Sequence, residues 1–66
     1  MEYTNSQIVA LIREHLHSER DRRVMMDRLV NGATMEQLAE KHALSVSQVK
    51  RIVRKNMETL MKHIPE

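Results

Sequence analysis

Two helix-start signals stand eleven residues apart in the middle of this chain, with only a short turn between the segments they open. Thr34 is followed three residues on by Gln37, and Ser45 by Gln48. Each pair reads as a capping box. The hydroxyl accepts from the backbone N–H three residues later, and that residue's side chain returns to the cap. The helix opened by Thr34 turns Met35, Leu38 and Ala39 inward and is expected to end near His42 or Ala43. Three residues, Ala43, Leu44 and Ser45, then lead into the next helix. So short a junction forces a sharp angle between two helices.

The remaining segments read the same way. One Gly and one Pro in 66 residues leave too little turn material for a hairpin-rich β fold. A first helix is expected from near Asn5 to about His17, with Ile8, Leu11, Ile12, His15 and Leu16 on one face. A second begins after Ser18, a good N-cap, with Glu19 and Asp21 in its first turn. Val24, Met25, Leu29 and Val30 form its apolar side, and Asn31 with Gly32 stops it, Gly32 fitting a left-handed position. The fourth helix carries Val49, Ile52, Val53, Met57, Leu60, Met61 and Ile64 at helical spacing and ends at Pro65. The expectation is one all-α domain over residues 1–66, a compact four-helix unit with a long C-terminal helix.

Composition excludes several chemistries. Without Cys there is no disulfide framework, zinc finger or thiol catalysis. Tyr3 is the only aromatic residue, which argues against base stacking on single strands and against aromatic ligand cages. His15 and His17 point to different helix faces, and His42 and His63 stand alone, so no metal site is expected. No Ser, His and Asp grouping, glycine loop or inward carboxylate pair points to catalysis, and no cofactor or small-molecule substrate is expected. No run approaches the roughly 20 apolar residues of a membrane span, and no signal peptide opens the chain. A cytoplasmic address is the expectation.

Net charge is +2 but unevenly placed. Five arginines against seven carboxylates leave residues 1–40 at −2, and six cations against two carboxylates leave residues 41–66 at +4. A basic C-terminal half points to a polyanion.

The stretch Thr34 to Ile52 meets each need of a helix-turn-helix. Ala39 is small where the second helix crosses, Leu44 anchors the turn, and Val49 and Ile52 face inward. Ala43 is the departure, since glycine is commoner where the turn takes a positive φ. From about Ser18 to His63 the chain resembles region four of bacterial sigma factors, which binds the −35 promoter element. The matching pieces are SERDRRVMMDRLVNG, TMEQLAEKHALS and VKRIVRKNMETLMKH. LuxR-type C-terminal domains share a similar plan. The resemblance implies a helix-turn-helix fold and double-stranded DNA as partner. Nothing like sigma region two is present, so a small stand-alone regulator of the phage or mobile-element kind is expected. Where primary sigma factors tend to have Arg-Glu-Arg, this chain has Val46, Ser47 and Gln48, so a different operator is expected.

In helix-turn-helix docking, the front of the second helix reaches base edges in the major groove. That nominates Val46, Ser47, Gln48, Lys50 and Arg51, with Arg51 matched to guanine and Gln48 to adenine. Thr34, Gln37, Lys41, Arg54 and Lys55 are expected at phosphates. Arg20, Arg22 and Arg23 are expected to pair within their own helix with Glu19 and Asp21. Met57, Leu60, Met61 and Ile64 form a candidate homodimer seam. Two further readings stand beside the regulator: an adaptor that meets RNA polymerase or an anti-sigma factor, and the DNA-recognition part of a phage packaging or recombination system.

Overall fold

The computed structural model describes residues 4–63. Four helices follow one another: α1 (Asn5–His15), α2 (Glu19–Leu29), α3 (Met35–Lys41) and α4 (Val46–Met61). Capping boxes open three of them. Thr4 Oγ1 accepts from Gln7 N at 3.2 Å, Thr34 Oγ1 from Gln37 N at 3.1 Å, and Ser45 Oγ from Gln48 N at 3.1 Å. In return each glutamine Oε1 accepts from its cap N–H at 2.8–2.9 Å. Ser18 caps α2 alone, through Asp21 N at 3.3 Å. A cap of this kind is worth about 1 kcal/mol and fixes where the helix starts.

The corner between α3 and α4 is a Schellman turn. Leu44 N donates to Ala39 O at 2.9 Å and Ala43 N to Glu40 O at 3.4 Å. Ala43 takes φ +55°, as the sequence led one to expect of the turn residue, and Gly32 takes +70° after α2. A left-handed alanine costs about 1 kcal/mol, offset here by carbonyls that the turn satisfies.

α4 is the pillar of the fold, in contact with each of the other three helices. Ile12 and Leu16 from the α1 side, Val24 and Met25 from α2, Leu38 and Ala39 from α3, and Val49, Ile52, Val53 and Leu60 from α4 make one core. Asn56 interrupts the apolar stripe of α4 but is buried, and its amide is satisfied by donating to Ile52 O at 2.8 Å.

Two boundaries differ from expectation. α1 stops at His15 because Leu16 is already extended, turning the chain toward the Ser18 cap. α2 ends as expected, with Leu29 its last residue and Val30 its cap immediately before Asn31 and Gly32. α4 stops at Met61, while the expected stop, Pro65, lies outside the described residues.

The seam expectation also changes. Leu60 lies in the chain's own core, because α1 lies across α4, and Met57 packs half-buried against the same core. Met61 alone of the seam residues is clearly exposed, at 63%, and Ile64 lies outside the described residues. Among the described residues, no helix is long and apolar enough to cross a membrane.

Candidate nucleic-acid interface

Two shallow concavities meet on the front of α4. Ser47, Lys50, Arg51 and Arg54 line one; Arg20, Leu44, Gln48, Arg51 and Ile52 line the other. Arg51 belongs to both. Helical spacing explains the first group, since with Val49, Ile52 and Val53 buried, residues 47, 50, 51 and 54 are left outward. Among the described residues, Lys50, Arg51 and Arg54 make no salt bridge. The first turn of α4 carries no acidic residue.

Arg20 was not expected here. Its guanidinium does meet Asp21 at 3.4 Å, as the charge pattern predicts, but it remains 58% exposed and borders the same hollow as Gln48 and Arg51. Sequence spacing gives no sign of this, because the closeness comes from the packing of α2 against α4. The buried Asp21 also lies 3.8 Å from Lys55 Nζ, so one carboxylate faces cations from both helices.

The other arginines of α2 have structural partners. Arg23 pairs with Glu19 at 2.6 Å, the intrahelical pair expected. Arg22 does otherwise: its Nε donates to Leu16 O and its Nη2 to Arg13 O at 2.8 Å, capping the carbonyl end of α1. Arg28 closes the Gly32 turn by donating to Ala33 O at 2.8 Å.

The other residues nominated for DNA contact are dispersed. Val46 is half-buried against the core, so little of it faces outward. Thr34 and Gln37 are exposed, but their side-chain oxygens are engaged in the α3 cap, leaving the Gln37 amide NH2 as a donor. Lys41 Nζ lies 3.0 Å from Asp27 Oδ2, so its charge is neutralised on the α2 side.

Asp27 is a hub that the sequence did not reveal. It is buried, and it accepts from His42 Nε2 at 3.0 Å and from Asn31 Nδ2 at 3.1 Å besides facing Lys41. These contacts tie α2 to the residues that lead into the α3–α4 turn. Burial pushes the Asp27 carboxyl up, but hydrogen bonds from Lys41, His42 and Asn31, with the Lys41 charge, outweigh it and hold the carboxyl below the usual aspartate range. A lowered folded-state value contributes stability above the unfolded-state pKa, lost as pH falls through the folded one. The contribution is therefore intact at neutral pH, begins to fade near the ordinary aspartate value of about 4, and is gone only below the lowered folded-state value. Thermal melts of wild type and Asp27→Asn from pH 7 to pH 2 should differ most at neutral pH and converge in acid. Parallel curves would remove Asp27 from this role.

His42 is thus engaged, and His63, expected to stand alone, stacks on His15 with ring centroids 3.6 Å apart and planes 4° from parallel. Among the described residues, no three His, Cys, Asp or Glu side chains are grouped to hold a metal ion.

No curated protein and no solved structure matches the chain at a significant level. The family model of sigma-70, region 4 matches residues 18–62, from the cap of α2 to the residue after α4, with α1 outside the match. With most of its length matched and a helix-turn-helix at the centre of that match, this chain belongs to the sigma-70 region 4 family of DNA-binding domains.

Proposed function

We propose that the chain is a sequence-specific transcriptional regulator that lays the N-terminal half of α4 in the major groove of duplex DNA. The observation that carries this reading is Arg51. It is exposed and without a salt bridge among the described residues, and it sits where the two concavities join. From the front of a second helix, a guanidinium there suits guanine O6 and N7. Ser47, Gln48 and Lys50 flank it at base-edge height, with Val46 contributing least. Arg54, Lys55 and Arg20 border the same face and suit phosphates on either side. Thr34 and Gln37 support the backbone contact as neutral groups, and Lys41 joins only by leaving Asp27.

The test is selection of sites from a random duplex pool by the purified chain alone, at physiological salt. A short enriched motif is expected. Arg54 meets phosphate unopposed while Arg20 and Lys55 share Asp21, so the slope of log K against log salt is expected between about −1 and −3. With Leu60 inside its own core, the seam loses its centre, and a single half-site is the expected motif. A palindrome with half-sites one turn apart would restore the dimer. No enrichment, with binding lost on modest added salt, would leave only counterion release and overturn the reading. The adaptor that meets RNA polymerase or an anti-sigma partner would then explain the domain better.

A further inference from the structure

The front of α4 offers hydrogen-bond donors almost exclusively. Lys50 and Arg51 carry donors only, and the first acidic residue of α4 is Glu58, three turns on. Gln48 looks like the exception, because a free glutamine presents both an oxygen and an NH2. Here its Oε1 accepts from Ser45 N at 2.9 Å, while its own N–H donates to Ser45 Oγ at 3.1 Å. The oxygen is therefore turned back onto the helix end. Reading adenine takes both ends of the amide in one plane, the oxygen on the base's NH2 and the nitrogen on N7. With its oxygen held on Ser45 N, the Gln48 amide is oriented to present its NH2 outward, and the second lone pair of that oxygen stays beside the helix end. The Ser47 hydroxyl can donate or accept, and it is the single remaining acceptor on this part of the face.

We infer that this face selects an operator whose contacted strand presents paired acceptors, meaning consecutive guanines, with Gln48 donating to guanine rather than pairing with adenine. Guanine alone shows two acceptors in the major groove, whereas thymine offers the single acceptor O4 beside a methyl group that Lys50 and Arg51 cannot use. Adenine and cytosine each present an NH2, which here would meet an NH2 or a cation. The inference rests on the DNA-reading proposal and names the sequence class that it requires.

The test uses the duplex motif enriched from the random pool, then the same duplex with 7-deazaguanine at each guanine in turn. Guanines on one strand are expected at two or more adjacent positions, and loss of N7 at the contacted ones should weaken binding about tenfold each. Gln48→Glu is the second arm. It keeps the capping oxygen, so circular dichroism and melting should match wild type, but it replaces the donor by an acceptor. Selection with this variant should move one position from guanine to cytosine. An enriched motif built on adenine, cytosine or thymine at the contacted positions, or unchanged selection by Gln48→Glu, would overturn the inference and leave DNA reading intact. A pool with no enriched motif would instead remove the DNA-reading proposal on which it rests.

Discussion

Arg51→Ala is expected to weaken binding to the selected duplex by about 1–3 kcal/mol and to relax selection at one base pair. Arg51 is the residue that both hollows of the face share, and it has no carboxylate partner among the described residues. Its removal therefore leaves no buried charge behind, and the loss reads as lost DNA contact. Arg54→Ala provides the contrast. A phosphate contact carries no base information, so that variant should bind all sequences more weakly by a similar factor and lower the salt slope by about 1. Competition binding against a panel with single base changes separates the two patterns. A uniform loss for Arg51→Ala, with no relaxed position, would move Arg51 to the backbone and leave the reading face without its centre.

The elements were legible where their signals are local. A capping box spans four residues, so Thr34/Gln37 and Ser45/Gln48 locate two helix starts without reference to the rest of the chain. The left-handed turn at Ala43 was legible from the helix-turn-helix pattern, although an alanine stands where glycine is commoner. Helix ends were less legible. Nothing in the sequence marks Met61 as the last residue of α4, and α1 ends two residues early because of the geometry of the next cap. Least legible were contacts made by the packing itself. Asp27 meets His42 across fifteen residues, and Arg22 reaches back to the carbonyl end of α1. Arg20 borders the reading face only because α2 packs against α4. Leu60 is a different case, since a stripe of apolar residues shows that a face is covered but not by what. Gln48 shows two sequence expectations in conflict. The capping box that locates α4 holds toward the helix end the oxygen that adenine recognition would use.

Leu38→Ala carries the largest expected effect on folding. Leu38 is fully buried in α3, a seven-residue helix too short to persist without tertiary contacts. Emptying that site should cost about 2–5 kcal/mol. A 66-residue domain has about 3–10 kcal/mol in all, so the loss approaches the whole stability at the low end. The melting temperature should fall by about 10–30 °C. Leu38→Met, which roughly conserves volume, should cost less than about 1.5 kcal/mol. Met61→Ala, at an exposed site, should change stability by no more than about 0.5 kcal/mol. The first of these should also respond to DNA. α3 sets the corner from which α4 departs, so only the folded chain presents Lys50 and Arg51 on one face. Selected duplex at 100 times Kd should then return about 2.7 kcal/mol to the folded state and recover much of the lost melting temperature. A Leu38→Ala chain that melts within a few degrees of wild type would place the core elsewhere. One that melts low, still binds the selected duplex, yet gains no stability from it would show that binding does not require the α3–α4 corner.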